Sequence, residues 1–187
     1  MAALTLFRKL LLAILASPLV APGLHAAGAT ATELQVKAVF VYNFSHFVDW
    51  PDAAFGGDTE PFMIGVVGND GFASLLDDVV RGELVDGRSI QVRRFRAGEP
   101  ITDVHLLFVD RSQGSQLEQI AELLKGRGTL TVSDLDDATR RGAMIQLANV
   151  NNRIRVRINV DSARAAGLSV NSNLLRQAEI VRSGGRE

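Results

Sequence analysis

Apolar residues fall along this chain in two rhythms, one helical and one extended. From Thr32 to Trp50 the helical spacing dominates. At about 100° per residue, Val36, Phe40, Phe44 and Phe47 share a face, flanked by Leu34, Val41 and Val48 on one side and Val39 and Trp50 on the other. Gln35, Tyr42, His46 and Asp49 form a narrow polar strip, and Thr32 with Gln35 reads as a capping box. The apolar arc is wider than the stripe of a little over ~100° that an ordinary surface helix carries.

Beyond a break at Pro51–Pro61 the extended rhythm alternates with short helices. Phe62–Val67, Ile90–Phe95, His105–Val109 and Leu130–Val132 read as strands, and Phe72–Val80 and Leu117–Leu124 as helices. Ala143–Leu147, the turn Asn151-Asn152 and Ile154–Val160 read as a β-hairpin. Ser162–Ala166 and Leu174–Val181 read as helices, the last with Ser172 as N-cap. Strands alternating with helices predict an α/β fold: a Rossmann-like, open, mostly parallel sheet flanked by helices, with a C-terminal antiparallel hairpin.

The N-terminus lies outside this pattern. Arg8 and Lys9 precede an unbroken apolar run, Leu10–Leu15, and small residues lead to Ala27-Gly28-Ala29. This is the anatomy of a secretory signal peptide. Pro18 and the short core argue against a membrane span, which needs about 20 apolar residues. The expected organisation is a signal peptide over 1–29 and a single α/β domain over 30–187, exported to the periplasm with no direct membrane insertion. The chain holds no cysteine, so disulfides, a lipoprotein anchor and thiol chemistry are excluded. A net charge of −1 advertises no affinity for nucleic acid.

Candidate chemistry is sparse. Past the leader, histidine occurs only at His46 and His105, and neither neighbours a second metal ligand in sequence. There is no G-x-S-x-G elbow and no phosphate-binding loop. Gly65, Gly68 and Gly71 read as a tight strand-to-helix turn with Asp70 as a cap. The expectation is a protein that is not an enzyme, with no catalytic residue, no cofactor and no resident metal.

Three groups remain as candidate binding residues. Asn69 and Asp70, Asp110, Arg111 and Ser112, and Ser133 and Asp134 follow three of the proposed parallel strands, at the end of the sheet where α/β proteins bind ligands. They read equally as solvated loops capping helices, and a Mg²⁺ site at Asp70, Asp110 and Asp134 is the weaker extension. Arg153, Arg155 and Arg157 read as the wet face of an edge strand or as a row meeting acidic groups on a partner. Last, the helix gathers Phe40, Tyr42, Phe44, Phe47 and Trp50 in a chain with nine Phe, one Tyr and one Trp. Its excess apolar width points to a partner or dimer surface including Val39. Polar substitution of Val39 and Trp50 is expected to weaken assembly and spare folding.

These segments together resemble the periplasmic YfiR/HmsC-like proteins. The matching pieces are Glu33-Leu34-Gln35-Val36-Lys37-Ala38, Phe44, Phe47-Val48-Asp49-Trp50-Pro51, Ile64-Gly65-Val66-Val67-Gly68 and Leu130-Thr131-Val132-Ser133-Asp134. Gly142-Ala143-Met144-Ile145, Ile158-Asn159, Ala163, Gly167-Leu168 and Ser172-Asn173-Leu174-Leu175 follow in the same order. The resemblance implies a Rossmann-like homodimer in the periplasm. It would bind and repress the sensor region of an inner-membrane diguanylate cyclase, lowering cyclic-di-GMP and biofilm formation. The alternative is a periplasmic small-ligand-binding domain without a cyclase partner. Some relatives use cysteine pairs for redox sensing, a device this chain lacks.

Overall fold

The computed structural model describes residues 25–57 and 59–182, so the expected signal sequence lies largely outside the described residues. The chain divides into two compact units, Met1–Thr30 and Ala31–Glu187. Of the first, the described part is the opening of helix α1, His25–Phe47. The second holds the sheet.

An eight-stranded mixed sheet runs in the order β10-β8-β7-β6-β5-β2-β4-β3. Its strands are β2 (Phe62–Val67), β3 (Leu84–Val85), β4 (Arg88–Phe95), β5 (Leu106–Val109), β6 (Leu130–Ser133), β7 (Ile145–Val150), β8 (Arg153–Asn159) and β10 (Glu179–Val181). β4, β2, β5, β6 and β7 are mutually parallel. In chain order they read 2-1-3-4-5, a doubly wound sheet whose order reverses between β2 and β5. A separate two-stranded ribbon pairs β1 (Val48–Asp49) with β9 (Ser169–Val170). Helices α2 (Asp70–Val80), α3 (Leu117–Leu123), α4 (Val160–Ala165) and α5 (Ser172–Leu175) complete the fold.

The strand pleat sorts the apolar residues into two cores. Phe62, Ile64 and Val66 of β2, with Leu106 and Phe108 of β5 and Val132 of β6, join Ala38, Val41 and Phe44 of α1 and Phe72 and Leu76 of α2. Val67, Leu107 and Val109 point the other way and join Leu117 and Ile120 of α3. Every residue of β5 is buried, as expected of a parallel strand covered on both faces. Asn151 and Asn152 turn the β7–β8 hairpin with φ of 52° and 60°, the pair of left-handed residues that a type I′ turn requires.

Several expected boundaries move. Thr32 lies inside α1, so the capping box does not start that helix. The helix stops at Phe47, because Val48 and Asp49 leave it to pair with β9. Its buried face is rotated from the expected one: Lys37, Ala38, Val41, Phe44 and Ser45 are inside, whereas Val36 is 39% exposed. Asn69, not Asp70, caps α2, its side chain accepting the Phe72 N–H at 3.0 Å. The stretch Leu174–Val181 is not one helix. Asn171 caps the four-residue α5, and Glu179–Val181 become β10 because the edge of β8 offers them backbone partners.

Candidate functional site

The loops after β2, β5 and β6 do meet at one end of the sheet, but most of their polar side chains already hold hydrogen-bond partners there. Asp110 Oδ1 accepts the Ser112 N–H at 2.9 Å, and Ser133 Oγ accepts the Leu135 N–H at 3.1 Å. Asp134 is 3% exposed. It accepts the Arg111 N–H at 2.8 Å, Arg111 Nε at 3.1 Å and Lys37 Nζ at 2.7 Å. At the strand-order reversal the β2 and β5 loops approach closely: at Gly68, φ +112°, an added Cβ would stand 2.8 Å from Gln113 Cγ and 3.1 Å from Asp110 Cβ. Asp70 is exposed on the first turn of α2. The proposed Mg²⁺ grouping with Asp110 and Asp134 does not form, and among the described residues no three His or carboxylate side chains gather to hold a metal.

What does form there is a charge cluster invisible in the local pattern. Lys37, 2% exposed, reaches from the buried face of α1 to Asp134 and also contacts Glu33. Asn149 Nδ2 donates to Glu33 Oε2 at 2.8 Å, and Arg111 Nη2 stands 3.6 Å from Glu33 Oε1. Two cations face two anions, so the cluster ties α1 to the ends of β5, β6 and β7 without net charge. Burial alone would raise the Glu33 carboxyl. Lys37 outweighs that, aided by Asn149 and Arg111, and holds it below its ordinary value. The sequence signal for this site was a lysine among apolar helix positions.

The aromatic residues of α1, with Trp50 just beyond it, serve chiefly the domain's own core. Phe44 is fully buried, and Phe40, Tyr42, Phe47 and Trp50 are partly buried against the same cluster. Tyr42 Oη donates to Glu83 Oε2 at 2.9 Å; burial and that carboxylate push the phenol up to about 12. Trp50 Nε1 donates to the His105 carbonyl at 3.0 Å, and its ring meets Phe62 edge-on at 4.8 Å. Trp50 is therefore tied into the fold, and polar replacement there would disturb folding together with any interface. The apolar surface left on this helix is aliphatic, chiefly at Val36 and in part at Val39.

The arginine row lies on one face of β8, with Val156 and Ile158 buried on the other. It is not wholly an edge strand: β10 runs beside Arg157–Asn159. Arg157 Nε donates to Glu179 Oε2 at 2.9 Å. Arg153 and Arg155 are exposed, with no ion pair or side-chain hydrogen bond among the described residues.

A cavity of about 650 Å³ opens at the other end of the strands, between Glu60, Arg93, Ile101, Asp103, Leu124 and Arg127. Four separate segments build it, so no local motif announced it. At its wall His105 lies stacked between Phe55, 4.5 Å away, and Phe62, 5.1 Å away. His105 Nδ1 accepts the Met63 N–H at 2.9 Å, which leaves Nε2 as the donor to the Ala54 carbonyl at 3.1 Å. Burial, with the Arg88 charge, pushes this imidazole below 6.5. Both ring nitrogens are engaged, so His105 holds the loop rather than offering a base.

The chain is a doubly wound α/β domain with two exposed arginines on one face of β8. Over residues 34–179 the chain matches the YfiR/HmsC-like family model, and it belongs to that family, whose theme is periplasmic regulation of cyclic-di-GMP signalling rather than catalysis. A comparison with curated proteins finds no match. Among the described residues no helix is long and apolar enough to cross a membrane.

Proposed function

We propose that residues 1–29 are removed on export and that the remaining chain acts in the periplasm as a repressor. It binds the periplasmic sensor region of an inner-membrane diguanylate cyclase and lowers cyclic-di-GMP output and biofilm formation. Family membership supports the regulatory theme. The observation that carries a protein partner is the pair of exposed guanidinium groups at Arg153 and Arg155, without an ion pair among the described residues, which present forked donors suited to carboxylates. Repression follows from differential affinity: the protein binds the inactive form of the sensor more tightly, and the cyclase population shifts by that difference. A homodimer fits the same reading, with Val36 and Val39 as its apolar candidates.

Affinity capture of the tagged protein from envelope membranes at low salt tests the proposal. The expected product is an inner-membrane diguanylate cyclase, released as salt screens the arginines. Capture of no membrane sensor contradicts it. The cavity of about 650 Å³ supports a second reading, a small-ligand domain. That reading requires a compound that raises the melting temperature by binding the native state alone.

A further inference from the structure

We infer that the exposed stretch of β8 receives an extended segment of the partner with the pattern acid–apolar–acid; this rests on the partner-binding reading above. The chain supplies its own precedent. Where β10 lies beside β8, Glu179 is paired with Arg157, Ile180 with Ile158 and Val181 with Asn159. Glu179 thereby meets the guanidinium of Arg157 at 2.9 Å. β10 pairs with no residue before Arg157, so β8 continues past it from Arg153 to Val156 as the rim of the sheet. Arg153 and Arg155 repeat the Arg157 position at the strand period of two and carry no counter-charge among the described residues.

A segment continuing the line of β10 would place alternate side chains beside Arg153 and Arg155, at about 4.5–5.5 Å between Cβ atoms. Carboxylates there would complete the row, as Glu179 does at its end. The residue between them would lie beside Ile154, which is partly buried on the core side. The rim supplies backbone partners and the arginines select the charge, the division of labour found in strand addition. A second copy is a poor occupant, since its own arginine row would face this one.

The test titrates the mature protein with the synthetic peptide Val-Glu-Val-Asp-Val-Glu-Val, following backbone amides by NMR. The expected result is shift changes and slowed amide exchange confined to β8 and β10, with binding weakened roughly tenfold when the acids become lysine. Arg153→Glu with Arg155→Glu is expected to reverse that preference. The milder Arg155→Gln, which stays polar but loses the charge, is expected to weaken the acidic peptide with the spectrum otherwise unchanged. A peptide N-methylated at every residue keeps its charge but has no backbone N–H to donate to the rim, so it is expected not to bind. Equal binding of the methylated peptide, indifference to charge, or an unchanged β8 overturns the inference. If capture still recovers a membrane sensor while these peptides fail, the partner reading stands and only this docking mode falls.

Discussion

The Lys37–Asp134 contact makes a quantitative demand on stability. Both groups are almost fully buried, with Lys37 at 2% and Asp134 at 3% exposure, and they meet at 2.7 Å. Asp134→Asn keeps the shape and an acceptor for the Arg111 N–H but removes the charge. Breaking a buried pair by removing one partner costs about 3–5 kcal/mol, because the other ion is left uncompensated. Glu33 still touches Lys37, so the expected loss is at the lower end, about 3 kcal/mol. Lys37→Met alone removes the stranded ion and leaves Asp134 with Arg111; its expected cost is smaller. Combining Lys37→Met with Asp134→Asn is expected to recover part of the loss, a coupling of about 1–2 kcal/mol within the range for contacting residues. Urea unfolding followed by Trp50, the single tryptophan, measures all four corners of the cycle. A cost below about 1 kcal/mol for Asp134→Asn, or strict additivity, would refute the view that this cluster holds α1 to the sheet.

Other expectations follow from the same geometry. Glu33 has a depressed folded pKa, so its contribution is present above its ordinary 4.5 and is lost as pH falls through the folded value; Glu33→Gln should flatten the acid limb of a stability–pH curve. His105 is held neutral, so the unfolded chain takes up its proton first, and stability should begin to fall as pH drops below 6.5. A ring titration by NMR that puts His105 above that value contradicts its burial. Gly68→Ala, at φ +112° with Gln113 Cγ 2.8 Å from the new carbon, should cost at least about 1 kcal/mol in chemical unfolding; an unchanged midpoint would mean the two loops can move apart. Trp50→Phe loses the donor to the His105 carbonyl and should cost about 1 kcal/mol.

The strands of the parallel sheet were legible because burial on both faces leaves little choice of residue: Phe62–Val67 and Leu106–Val109 are nearly unbroken apolar runs. The hairpin was legible from its Asn pair and the alternation of Arg153–Asn159. β10 was not, because Leu174–Val181 carries a helical spacing, and only distant pairing with β8 selects extended backbone for its second half. The width of the apolar arc is partly accounted for within the domain, since Phe40, Phe47 and Trp50 are partly buried against residues far away in sequence. The candidate ligand loops were rightly brought to one end of the sheet, yet their polar groups are consumed in capping and in the Asp134 cluster, which depends on a lysine 97 positions away.

Intracellular cyclic-di-GMP is the most direct readout of the central claim. In a strain lacking this protein the level should rise, return with the wild-type gene, and fail to return with Arg153→Glu and Arg155→Glu in a protein that is exported and folded. An unchanged level on deletion, with the cyclase present and competent, would contradict a repressor working through that face of β8.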